Sequence, residues 1–410
     1  MKIFDFFRRL PMQKRPTAQK LTAPSELTEE GDREAAAGAA TAAVERLRLE
    51  RLPRWAVGIY LFTAFSALLY LLAVLIPAFA DFFNQHISVA VRFLLAHLTN
   101  RIPFSFAELL LYCLPLLLIG IGVYATKYRC ETWRMVFVCV GEIMCIVAIL
   151  LDIFIWGFGM AYHGSTLDKK LDLERRDVSA EELAQTLEIL TEKINAECDD
   201  VTFRRGNFSV MPYSLSELND KLLEAYDKVD DDLTFLSSLS SRLKPVIASE
   251  AMSYIHITGV YSYFTGEANL NVNFPDYTIP YTAAHELAHQ RGIARENEAN
   301  FIAFLVCIAS DDAYIRYSGY LNMYEYVASA LYRANPDEYR RLYRTLDSRV
   351  ASEETAYSAF YAKYRDSKAS VVAGAVNDTY LKIQGTAGTK SYGMVVDLAV
   401  AYYVGEDGNK

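Results

Sequence analysis

The sequence predicts a mainly α-helical membrane protein, with three N-terminal transmembrane helices followed by an α+β domain that carries a small antiparallel sheet. Three observations carry this reading. Long uncharged runs crowd the first 160 residues, helical apolar periodicity dominates the remainder, and one short segment rich in Tyr, Ile, Val and Thr interrupts it.

From Trp55 to Phe79 no charged residue occurs. At about 1.5 Å per residue such a run crosses a hydrocarbon core of about 30 Å. The spans fall at about 55–79, 106–126 and 135–160, the third interrupted by Glu142 and Asp152. The first is too long and too far from the N-terminus for a cleaved signal peptide, so it is expected to remain as an anchor. Arg46, Arg48, Arg51 and Arg54 precede the first span, and Lys127, Arg129 and Arg134 fill the second loop. The longer first loop holds only Arg92 and Arg101. By the positive-inside rule the N-terminus is cytoplasmic and the chain beyond residue 162 lies outside. The expected partition is a largely disordered cytoplasmic tail (1–54), a transmembrane region (55–162) and an extracytoplasmic domain (163–410).

Within the membrane region, His86–Leu98 mixes apolar residues with Arg92 and two histidines and reads as an interfacial helix. Ser105 and Glu108 form a capping box at the start of the second span, which gives Glu108 a local capping role. Glu142 is costly in mid-span unless it faces other helices or water, and no basic partner is evident in the other spans.

Composition excludes some functions. The 410 residues are 52% apolar, with 41 Lys and Arg against 50 Asp and Glu and a net charge of -9. Disorder over most of the chain and nucleic-acid binding are both disfavoured. Of six cysteines, Cys113, Cys139 and Cys145 fall in spans and Cys130 in a loop, leaving Cys198 and Cys307 as the one pair that could bridge. Cys307 lies in an apolar helical run, where a buried free thiol is the simpler expectation.

In the C-terminal domain, helices are expected at Ser179–Ala196 and Leu215–Val229, each behind a Ser N-cap, with Ser214 and Glu217 forming a second capping box. Ser253–Phe274 is the strand region, and helix dominates from Tyr281 to about Lys368.

The chemistry concentrates at His285, Glu286, Leu287, Ala288 and His289. Two histidines four apart on one helix face can reach one metal ion, and the intervening Glu can meet a water on it. This is the HExxH zinc signature. A catalytic zinc takes three protein ligands and keeps a fourth position open. The metzincin spacing would place a third His at Arg295, so that scheme fails. If Gly292 breaks the helix and a second begins near Ala294, Glu296 becomes the third ligand and Asn300, one turn on, braces a ligand imidazole. Glu298 is the competing ligand, although it points about 200° away from Glu296. Glu286 is the expected general base and amide hydrolysis the reaction class. Arg316, Tyr317 and Tyr320 offer oxyanion donors, or else they pack. Ala268–Phe274 is the expected edge strand for substrate, with Gly266 permitting close approach and Glu267, Asn269 and Asn271 either contacting substrate or merely solvated.

The segments Thr265–Pro275, His285–Gly292, Glu296–Phe301 and Arg316–Tyr320, with Ile102–Leu110 and Tyr380–Leu398, resemble a bacterial family of membrane proteins of unknown function. The resemblance covers about residues 55–403 and implies three spans and an extracytoplasmic zincin-like metallopeptidase domain. The ENEAN run at Glu296–Asn300 is similar to the glutamate helix of gluzincin-type peptidases, where the first Glu binds zinc and the last Asp or Asn braces a histidine. Here the interval from HExxH to that helix is shorter than in many gluzincins. The resemblance thus implies one Zn2+ per chain and a peptide or protein substrate outside the cytoplasmic membrane. The alternative is a non-hydrolytic zinc-binding membrane protein whose outer domain is structural or binds a partner. Glu286 favours the enzyme, because a structural zinc needs no base and usually closes with a fourth Cys or His.

Overall fold

The computed structural model describes residues 29–128, 132–174, 176–204, 208–229 and 233–405. Helix α1 (Glu29–Leu49) takes in the Ala-rich stretch of the tail. Its Ala, Glu and Arg content favours helix without any core, and its described side chains are exposed. Residues 1–28 and Cys130 lie outside the described residues.

Three helices have the length and apolarity to cross a membrane: α2 (Arg54–Leu75), α5 (Phe106–Thr126) and α6 (Trp133–Gly157). The first stops short of Phe79 because Pro77 cannot continue it. Ile76 is extended, and Pro77 opens the short helix α3 (Pro77–Phe83). α2 and α6 are tied by polar side chains. Thr63 donates to Asp152 (2.8 Å), Trp156 to Ser66 (2.9 Å), and Tyr60 to the Gly141 carbonyl (2.6 Å). Glu142 does have a basic partner, contrary to expectation. It accepts from Tyr124, and Lys127 lies 3.5 Å away at the end of α5.

The segment expected to be interfacial is a π-helical turn (Asn84–Ser88) leading into α4 (Val89–Asn100). One face of α4 exposes Phe93, Leu94 and Leu98. Its other face buries Arg92 and packs on the C-terminal domain.

That domain contains α7 (Leu167–Lys170), α8 (Ala180–Glu197), α9 (Leu215–Val229), β1 (Lys244–Pro245), α10 (Ser249–Tyr254), β2 (Gly259–Ser262) and β3 (Glu267–Leu270). There follow α11 (Thr278–Gln290), α12 (Glu296–Ile308), α13 (Ala313–Ala334), α14 (Pro336–Tyr343), α15 (Ser348–Ala362), α16 (Lys368–Ile383) and α17 (Val395–Val404). Both capping boxes ahead of α8 and α9 form. The core is helical: α8 packs along α13, and α11 lies between α12, α13 and the sheet. Gly319 of α13 lets Cys307 of α12 press against it, since a Cβ there would sit 2.5 Å from that of Cys307. Cys198 and Cys307 are both buried and free, so no bridge joins them.

The sheet is mixed. Its order is β1-β3-β2, with β1 parallel and β2 antiparallel to β3. β3 is therefore the central strand, which corrects the expectation of an edge at Ala268–Phe274. The edge strand beside the HExxH helix is β2. Gly266 (φ +73°) admits helix α4, because a Cβ would meet the Ala96 amide at 2.6 Å.

The domain sits on the end of the membrane region where α2 and α6 finish and α5 begins. Glu267 accepts from the first-turn amides of α5, Phe106 (3.1 Å) and Ala107 (2.8 Å). Ser105 caps Glu108 (3.0 Å), but the Glu108 carboxylate reaches away, accepting from Ile247 and Ala248 (2.8 Å each). Glu108 is thus a tie between span and domain rather than a local cap. Lys244, buried, donates to the carbonyls of Thr99 (3.1 Å) and Ile102.

Glu267→Ala leaves two helix-terminal amides buried without an acceptor, a loss of about 2–4 kcal/mol. In thermal unfolding of the full chain in detergent it should lower the midpoint clearly. Glu250→Ala, which removes only an exposed pair with Lys363, should leave the midpoint within about 1 °C.

Candidate metal centre

Every residue of α11 is buried. Pro280 falls in its first turn, where no intrahelical amide bond is lost, and the helix ends where Gly292 turns to φ +96°. The chain reverses over five residues and re-enters helix at Glu296. This brings the first acidic side chain of α12 back against the His-bearing face of α11.

His285 and His289 are one turn apart, ring centroids 4.6 Å from each other. Glu296 Oε2 lies 3.2 Å from His285 Nε2 and 3.4 Å from His289 Nε2. Ligands about 2.0–2.1 Å from a tetrahedral zinc are about 3.3 Å from one another, so this spacing fits the ion. A ligand atom from each of the three buried residues lies within 4.8 Å of the others, as a shared metal ion requires.

The surrounding bonds fix which nitrogens face the ion. His289 Nδ1 donates to the Ile293 carbonyl (2.6 Å), leaving the Nε2 lone pair for a metal. Asn300 lies at the His285 ring, donates to Tyr326 (3.2 Å), and accepts at its carbonyl from Tyr281 (2.9 Å). Glu286 Oε2 is buried with no hydrogen-bond partner. The carboxylate lies against Gly259 of β2, where a Cβ would be 2.5 Å from its Oε1.

Electrostatics sharpen the assignment. Burial opposes ionisation of Glu296, but His289 and His285 hold its carboxyl well below the usual range. Burial alone would lower His289, yet Glu296 and Glu286 lift it to about 9. Burial raises Glu286 to about 8; His289 opposes this and Glu296 adds to it. His285 is lowered, by burial first and then by His289.

The turn itself is held from below by the membrane region. Asn84 donates to the Gly292 carbonyl (3.0 Å). Arg92 donates to Asn84 Oδ1 (2.8 Å) and to the Gly157 carbonyl at the end of α6 (3.0 Å). A Cβ on Gly292 would lie 2.6 Å from Arg92 Nη2.

The other expected site residues are placed elsewhere. Glu298 accepts from Arg295 (2.9 Å) and the Leu167 amide (3.1 Å), on the far side of α12 from the histidines. Asn269 bonds Ser105 and the Val260 carbonyl, and Asn271 bonds Ser253 and the Ile257 carbonyl, as buried braces within the sheet. Arg316 pairs with Glu197 (2.7 Å), and Tyr317 donates to buried Glu353. None of these four lines the cleft, and neither does Glu298.

The cleft has a volume of about 1140 Å³. Its walls come from residues that sequence reading missed: Phe158 and Tyr162 after α6, Gly259 and Tyr261 of β2, Tyr326 of α13 and Tyr380 of α16. A tyrosine in a chain with 28 of them carries no local signal. Tyr380 is the one that the YLKIQG segment, already singled out as a resemblance, contains.

A family model described as "Protein of unknown function (DUF3810)" matches residues 83–400. The chain belongs to that family. The match runs from the turn below the metal centre to α17 and takes in every residue of the His-His-Glu group. Among curated proteins and among solved structures, nothing matches this member of the family.

Metal titration by calorimetry should show one site per chain that is lost in His289→Ala and Glu296→Gln and kept in Glu298→Gln. Below about pH 9 the metal-free His289 carries a proton that a cation must displace. Binding at pH 7 should therefore release about one proton or more per ion, and affinity should rise with pH towards 9. Arg92→Met should weaken metal binding through the Gly292 turn by about tenfold or more.

Proposed function

We propose that this member of the family is a membrane-anchored, zinc-dependent metallopeptidase that hydrolyses peptide bonds of extracytoplasmic proteins or peptides. The observation that carries the reading is the convergence of His285, His289 and Glu296 on one point, with Glu286 on the same helix and aimed into the same cleft. A purely structural site needs no such carboxylate.

Zinc in a three-ligand site supplies Lewis acidity towards water and a substrate carbonyl. The chain's own groups do the rest. Glu286 takes the proton of the attacking water at Oε2 and returns it to the leaving amine nitrogen. Gly259 leaves the space that the carboxylate occupies. The outer edge of β2, unpaired among the described residues, receives an extended substrate by strand addition. Tyr326 and Tyr380 line the cleft and feel the charge of Glu296, and their hydroxyls are neutral donors for a developing oxyanion. The basic residues at Arg46–Arg54 and Lys127–Arg134 favour the cytoplasmic side for the other ends of the spans, which puts the domain outside.

The test is hydrolysis of a mixed peptide library by purified, zinc-loaded full chain. Glu286→Gln should keep the metal while kcat/KM falls by about 10²–10⁴-fold. Stoichiometric metal with no peptide cut by the wild-type chain would overturn the reading.

A further inference from the structure

The geometry points to a specific substrate class: a polypeptide tethered in the same bilayer, cut close to where it leaves the membrane. This rests on the peptidase reading and deepens it. Three observations lead there.

The metal centre stands directly on a span end. Phe158, the first residue beyond α6, packs edge-on against the ligand ring of His289, centroids 5.9 Å apart at 80°. No spacer separates the chemistry from the membrane.

The edge strand runs from the membrane to the base. β2 begins at Gly259, against Glu286, and ends at Ser262. The next residue, Tyr263, stacks on Phe158 (5.8 Å, 7°) and packs against Phe154, within the last turn of α6 (5.1 Å). Four residues at about 3.3 Å each make this path about 13 Å long. A peptide added along that edge has one end at the bilayer surface while its scissile bond lies at the metal.

The cleft is closed on its other side by α16, whose position is tied to the spans at both ends. Ser370, Ala373, Asn377 and Tyr380 present one face to the cleft. At the C-terminal end, Tyr70, five residues inside α2, donates to Gln384 (2.7 Å), and Leu381 packs with Ala73, Ala80 and Phe154. Ahead of the N-terminal end, Tyr364 packs edge-on against Tyr254 of α10 (4.9 Å), and α10 follows directly on the Ile247–Ala248 amides bonded to Glu108 of α5. Val372 and Ile383 of α16, neither of which lines the cleft, are exposed at 65% and 73%, and Val376, exposed at 65%, stands at the cleft rim between the two faces. Ile247 and, on α4, Phe93, Leu94 and Leu98 are further exposed apolar side chains on elements bonded to the span ends. The occupant of these apolar surfaces is the bilayer itself. The cleft between β2 and α16 therefore opens at the lipid surface, where a tethered chain enters along the membrane and a dissolved peptide must first part α16 from lipid.

The experiment uses the full chain reconstituted in phosphatidylcholine/phosphatidylglycerol vesicles with zinc. The probe is a degenerate peptide cassette placed next to a synthetic single-span anchor, compared with the same cassette free in solution; Glu286→Gln sets the background. Cuts are expected about four to eight residues from the anchor, spanning the 13 Å path. Tethering should raise the rate about 10²-fold over the free cassette at equal bulk concentration, and moving the cassette more than about 15 residues out should lower it. Equal cutting of free and tethered cassettes, or cutting indifferent to spacing, overturns the inference and leaves the peptidase reading standing. No cutting of either form by metal-loaded protein overturns the peptidase reading and the inference with it. A readout independent of turnover is quenching by brominated lipid of an environment-sensitive fluorophore on Val372→Cys, corrected for labelling of the wild type. Strong quenching there and little on Lys363→Cys is expected, and an unquenched Val372→Cys label refutes the membrane contact of α16.

Discussion

The reversal of the chain at Gly292 is the constraint on which the metal centre depends. At φ +96° it is a conformation that side-chain-bearing residues adopt only under strain, and it turns α11 into α12 quickly enough for Glu296 to meet His285 and His289. The turn is not self-supporting. Its carbonyl is held by Asn84, which is held by Arg92, which is held in turn by the last carbonyl of α6. Burying a guanidinium costs several kcal/mol, and here burial draws Arg92 down to about 10. Such a cost is sustained because the fork of donors satisfies two structures at once, the π-helical turn above α3 and the end of a span. Metal site and membrane region are therefore parts of one hydrogen-bonded unit.

The same economy of charge operates within the site. Glu296 is buried and ionised because two imidazoles face it, and His289 is held protonated by the same contact. A divalent cation bound by these three side chains would replace that proton with a stronger positive charge at the same point. Glu286 stands at the margin of this charge balance. Burial keeps it protonated, and a nearby cation shifts it towards the carboxylate that a base requires.

How much of this could be read from the sequence follows from the range of the interactions. The three spans, the Ser214–Glu217 capping box and the His285–His289–Glu296 group depend on patterns local in sequence, and a chain reports such patterns directly. The preference for Glu296 over the competing Glu298 likewise follows from helical geometry within one turn. What escaped were partnerships between distant segments. Glu108 looks like a local cap until Ile247, about 140 positions on, arrives to donate to it. Asn269, Asn271, Arg316 and Tyr317 are polar residues with the right chemistry near the right motifs, yet each is consumed by a buried acceptor or donor that periodicity cannot reveal. β1 is two residues long and contains a proline, so no alternation marks it, and its absence from the reading turned the central strand β3 into an apparent edge.

The consequence of those hidden partnerships is positional. Glu108, Glu267 and Lys244 bind the sheet to the start of α5, and Arg92 binds the metal turn to the end of α6. Three buried charged groups bonded to backbone across the junction, and Arg92 holding Asn84 on the Gly292 carbonyl, resist relative motion far better than exposed ion pairs, because breaking any of them strands a charge away from water. A domain fastened in this way cannot sample the solution above the membrane as one on a flexible stalk does. Its cleft stays at a fixed height, set by Phe158 against His289 and by Tyr263 against Phe154. The position of the cleft relative to the span ends is thus set by the fold itself and not by a linker.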